Sequence, residues 1–214
     1  MAKTKTLSEV ELDYLREMMN IGAGNAATAL SQMLDCRMDV KISKVYLTLA
    51  KKAPAILGDR DLTVVCVKMG MVGDVRGEIF FVVPETEKAL ITRLAEKANL
   101  GLVRKGSSDN SVLEEVGNVI AGAYLSAIHD FCKLNIYHSV PVTAVDAFQS
   151  LIDELLADMS RRAEILLVIE NEFALMIESE IITGARQVRT LFVIFPAPES
   201  IDTMVDSIKN AMTG

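Results

Sequence analysis

Two stretches of the chain carry the same polar pair at the same spacing, Glu17-Met-Met-Asn20 and Glu115-Val-Gly-Asn118. Four positions before each glutamate stands another polar residue, Asp13 in one stretch and Ser111 in the other. On a helix turning about 100° per residue, each set of three falls on one face, within an arc of roughly 60°. Leu12, Leu15, Met18 and Met19 lie on the opposite arc of the first helix, and Val112, Leu113, Val116 and Ile120 on that of the second. A primary amide donates and accepts hydrogen bonds without titrating, so it can orient a water molecule. A carboxylate one turn earlier can hold a partner's cation through a charge-assisted hydrogen bond. The pair therefore suits water positioning and docking. It is not a self-contained hydrolase, because it brings no nucleophile, no tunable base and no metal cage. One such helix would read as an ordinary solvated face. Two in register argue otherwise, since Asn competes with the helix backbone and is a poor choice for an exposed helical position.

Other motifs point to less. Gly22-Ala-Gly24-Asn-Ala-Ala27 has the letters of a dinucleotide-binding loop, but no strand precedes it and it falls inside a helical pattern. Close packing of two helices at their small residues, with Gly122 as the counterpart, is the better reading. His129 and His138 are too few to suggest a metal site, and Cys36, Cys66 and Cys132 form no Cys-x-x-Cys pair. The cysteines read as buried thiols of a reducing, cytoplasmic setting. No Gly-x-Ser-x-Gly, P-loop or His-Glu-x-x-His sequence occurs.

The elements that must present these residues follow from the pattern. Setting Glu17 over Glu115 aligns Leu15 with Leu113, Ala23 with Ala121, Gly24 with Gly122 and Ala29 with Ala127. Gly-Glu-Ile-Phe-Phe-Val-Val-Pro (77–84) likewise resembles Arg-Thr-Leu-Phe-Val-Ile-Phe-Pro (189–196). Two copies suggest internal duplication, with halves at about 8–105 and 106–212 and a seam at Gly-Ser-Ser-Asp-Asn (106–110). Ser8 with Glu11 and Ser111 with Glu114 read as capping boxes opening helices to about residues 33 and 132. Strands are expected at 39–49, 62–71, 76–84, 136–145, 164–171, 173–180 and 188–195, and further helices at 85–99, 147–160 and 199–212. Hairpins without regular β-α-β alternation imply an α+β fold, an antiparallel sheet with helices packed on it. With 214 residues, half of them hydrophobic, the chain can bury a real core as one domain. A net charge of −7 disfavours nucleic acid, and no apolar run reaches the roughly 18 residues of a membrane span.

The segment Leu12-Asp-Tyr-Leu-Arg-Glu17-Met-Met-Asn20-Ile-Gly-Ala-Gly resembles the signature helix of the CheC family of chemotaxis phosphatases, and Ser111 to Asn118 resembles its second copy. The family pattern adds a proline some two dozen residues later. Pro141 fills that place in the second copy, whereas the first has Ser43. The resemblance implies a pseudo-twofold duplicated domain, with a continuous antiparallel sheet and both signature helices on one outer face. It also implies dephosphorylation of the response regulator CheY, with Glu17, Asn20, Glu115 and Asn118 as the catalytic residues. The receiver domain would supply Mg²⁺ and a lysine, and this chain would bind no cofactor. Its relatives bind the receptor deamidase CheD, so a mainly non-catalytic CheD-binding role is the alternative. Helix 147–160 would be either that surface or a core helix. A flagellar-switch component, as in the relative FliY, is a third reading.

Overall fold

The computed structural model describes residues 8–35, 37–49, 62–97, 110–147, 150, 153, 165–178 and 183–212. Helix α1 (Glu9–Met33) opens on a capping box. The Glu11 N–H donates to Ser8 Oγ at 3.3 Å, and the Ser8 N–H donates to Glu11 Oε2 at 2.6 Å. Leu15, Met18, Met19, Ala23, Ala26 and Leu30 are buried at helical spacing, which fixes the face α1 turns inward. Leu12 is only half-buried. Strand β1 (Arg37–Leu49) follows, then the hairpin of β2 (Thr63–Gly73) and β3 (Gly77–Pro84), then α2 (Glu85–Lys97). The second half repeats the sequence of elements: α3 (Asn110–Cys132), β4 (Ile136–His138) with β5 (Val142–Ala147), β6 (Ile165–Glu178), β7 (Thr183–Pro196) and α4 (Pro198–Ala211).

All pairings are antiparallel, in the order β1-β6-β7-β3-β2-β4, with β5 beside β4 on the same flank of β2. This order reads the same when the halves are exchanged. At the centre, the pairs Phe80–Val193 and Phe81–Phe192 of β3 and β7 swap places. At the flanks, each half lends its first strand to the other: β1 pairs with β6, and β4 and β5 pair with β2. The fold is thus pseudo-twofold, α+β and built on one continuous sheet.

Alternate residues of the inner strands, among them Val65, Val67, Ile79, Phe81, Phe192 and Ile194, join residues of all four described helices in one core. Their neighbours Val64, Cys66, Phe80, Val82, Val193 and Phe195 point to the other face and are buried as well. Burial on both faces explains the nearly unbroken apolar runs of β2 and β3. The two long helices cross at Gly22, where an added Cβ would lie 2.8 Å from Tyr124 Cδ1 and 3.3 Å from the Tyr124 backbone. The expected contact at paired glycines is corrected here. Gly24 has nothing within 4 Å and Gly122 faces His138, so of these three glycines Gly22 is the one that meets the other helix.

Three further expectations change. The strands expected at 164–171 and 173–180 are one strand, β6, paired through Asn171 and Glu172 with β1 and β7. A polar pair does not interrupt a ladder carried by backbone groups on both sides. The strand expected at 136–145 is split at 139–141. Ser111 is not a cap, because α3 already includes Asn110 and Glu114 bonds elsewhere. The helix expected at 147–160 lies outside the described residues apart from Ala147, Ser150 and Asp153, as does most of the seam at 106–110.

Candidate functional site

Asp13, Glu17 and Asn20 are exposed on α1, opposite its buried stripe. Ser111, Glu115 and Asn118 occupy the corresponding face of α3 and are half-buried. Among the described residues, no hydrogen bond or ion pair engages the side chains of Glu17, Asn20, Glu115 or Asn118. Each asparagine is followed by a β-branched aliphatic residue: Ile21, 42% exposed, and Val119, packed partly against the core. The four residues singled out by spacing form two separate pairs, one per long helix.

The N-terminal turns that bear these pairs are held from outside. Lys209 of α4 lies 3.9 Å from Glu11 of α1, and Tyr14 Oη donates to the Ala211 carbonyl at 3.2 Å. Lys88 of α2 donates to Asn110 Oδ1 at 2.8 Å, doing the same for α3. The surroundings of the two pairs then diverge. On α1, Arg16 pairs with Asp13 at 2.6 Å, along the helix. On α3 the corresponding residue is Glu114, which accepts from Thr143 Oγ1 of β5 at 2.8 Å. Spacing did not reveal this contact.

Pro141 and Ser43 occupy equivalent irregularities. β4 pairs Met71 with His138 and β5 pairs Lys68 with Val142, so one extra residue is accommodated around Pro141. β1 likewise shifts register by one between Ile42 and Lys44, at Ser43. Proline, which lacks an N–H, suits a place outside the ladder. Serine occupies the same kind of place in β1. Ser139 completes the break in the second half: its N–H donates to the Gly70 carbonyl and its Oγ accepts from the Gly70 N–H, both at 2.8 Å.

The Cys132 thiol lies away from these faces, whereas the His138 ring lies beside Gly122, one turn beyond Asn118 on the same side of α3. Burial pushes the Cys132 thiol up to about 11, and its Sγ lies 3.7 Å from Met18 Sδ inside the core. His129 is exposed near the end of α3, and Nδ1 of the half-buried His138 lies 3.1 Å from the Ser139 carbonyl. Among the described residues no group of three or more His, Cys, Asp or Glu is arranged to hold a metal ion, and no helix is long and apolar enough to cross a membrane.

Residues 10–41 and 110–144 match the CheC-like family, and these two segments contain both polar pairs. A protein of Bacillus subtilis (strain 168), the CheY-P phosphatase CheC, is 32% identical over 167 residues, covering 77% of this chain and 80% of that one. The chain belongs to the CheC-like family. The architecture of this CheC-family chain extends to more distant proteins. FliY from Thermotoga maritima superimposes with a TM-score of 0.71 at 18% identity, over 97% of this chain and 100% of that one. The middle domain of FliM from H. pylori superimposes with a TM-score of 0.57 at 10% identity, over 94% of this chain and 99% of that one. At these identities the likeness is one of fold.

Proposed function

We propose that this CheC-family chemotaxis protein is a phosphatase that dephosphorylates phosphorylated CheY. The observation that carries the reading is the duplicated Glu-x-x-Asn pair. Both copies turn away from the core and are uncommitted to any described partner. The name of the B. subtilis relative supports the choice of substrate.

An aspartyl phosphate is an activated acyl phosphate, so a catalyst need only place water in line and hold the encounter together. In this reading Asn20 or Asn118 enters the receiver's site. Its amide accepts from and donates to the attacking water, fixing the approach of the water oxygen to phosphorus. Glu17 or Glu115 pairs with the receiver's lysine. The Mg²⁺ that neutralises the phosphoryl oxygens belongs to the receiver, not to this chain. Ile21 and Val119 add an apolar contact next to each asparagine.

The test is the decay of phosphorylated CheY with wild type, Asn20→Ala, Asn118→Ala and the double variant. Each asparagine should be worth about 10²-fold at its own site. The double variant should therefore decay at the rate of CheY alone, while each single variant keeps the activity of the remaining site. A wild-type chain that never accelerates decay overturns the reading. Capture of CheD by such an inactive chain would then favour a binding role.

A further inference from the structure

We propose that Thr143 is a positioning residue of the second site, holding the first turns of α3 against the sheet through Glu114. The inference rests on the reading above that Glu115 and Asn118 act on phosphorylated CheY. Thr143 of β5 pairs with Val67 of β2, and residues directly opposite in an antiparallel pair project to the same face. Val67 lies beneath α3 at Gly117, where an added Cβ would come within 3.1 Å of Val67 Cγ1. α3 therefore sits low on the sheet one residue before Asn118. From beside Val67, the Thr143 hydroxyl reaches Glu114 Oε1 at 2.8 Å. Glu114 is one helical turn before Asn118, on the same side, and adjacent in sequence to Glu115. The segment bearing the site is thus fixed at two successive points, by packing under Gly117 and by a hydrogen bond at Glu114.

The same bond settles a competition. Two neighbouring carboxylates, both free, would contend for one cation on a docking partner. Turning Glu114 to Thr143 leaves Glu115 as the uncommitted one. The first copy has no such arrangement, because Arg16 stands in place of Glu114 and pairs with Asp13 on its own helix. The sequence there has valine, which carries no hydroxyl, at position 45, the counterpart of Thr143. The tie is particular to the second site.

The test uses the full chain in two backgrounds. In Asn20→Ala, where only the second site remains, Thr143→Val should lower kcat for phosphorylated CheY about tenfold with KM little changed, and Thr143→Ser should restore it. In Asn118→Ala, where the second site is already silent, Thr143→Val should leave the rate as it was. Amide exchange along residues 111–118 should quicken in Thr143→Val and return to normal in Thr143→Ser. Equal losses in both backgrounds would indicate general destabilisation and overturn the proposal. So would an unchanged kcat in Asn20→Ala. Failure of the phosphatase reading is separately visible, since it shows in wild type before any substitution is made, and the positioning role falls with it.

Discussion

The Glu11 carboxyl is held below its ordinary value by the Ser8 backbone N–H first, then by the Ser8 hydroxyl, with Lys209 adding a smaller pull. A carboxyl lowered in the folded state stabilises the fold above its unfolded value and ceases to do so as pH falls through its folded one. Glu11→Gln should therefore be less stable than wild type in urea at pH 7, and the gap should close as pH drops below 4.5. Ser8→Ala should cost about 1 kcal/mol at pH 7 by the same measurement, the usual worth of an N-cap. The same letters, serine followed three positions later by glutamate, occur at 111 and 114 and mean something else. There Glu114 leaves its own helix for Thr143. This contrast marks what was legible in the sequence at this scale. The pairs Glu17–Asn20 and Glu115–Asn118 could be read because helical geometry converts spacing into a shared face. Thr143 could not, because 29 residues and a strand register separate it from Glu114.

Elements were legible where their period was clean. The apolar stripe of α1, and the apolar runs of β2 and β3 on either side of a glycine-containing turn, gave boundaries within about two residues of those observed. Asn171 and Glu172 misled because strand continuity depends on backbone partners that belong to distant segments. Glycines misled for a related reason, since their letters do not say which of them meets a neighbour. Gly22 and Gly24 make the difference measurable. Gly22→Ala forces a methyl against buried Tyr124 and should destabilise by roughly 1–3 kcal/mol despite better helix propensity. Gly24→Ala meets nothing and should stabilise by up to about 1 kcal/mol. Thermal and urea unfolding of the two variants should move in opposite directions. If both move the same way, the helix crossing is not at Gly22.

For the whole molecule, the repeat in the sequence pointed to two similar halves but not to how they join. Nothing in the spacing of the copies says that β1 must find β6, or that β4 and β5 must find β2. A fragment ending at residue 105 keeps β1 without its described partner β6, β2 without β4 and β5, and β3 without β7. It should fail to give a cooperative monomer by circular dichroism and sedimentation, whereas the full chain should unfold in one transition. A stable monomeric fragment would show that the exchanged strands are dispensable. The exchange also has a bearing on inheritance. In an assembly of two identical subunits, every substitution appears twice, and both sites change together. Here the two halves share a sheet but not a coding segment, so one site can be altered while the other is left intact. Arg16 and Glu114, opposite charges at equivalent places, are one such difference between the halves.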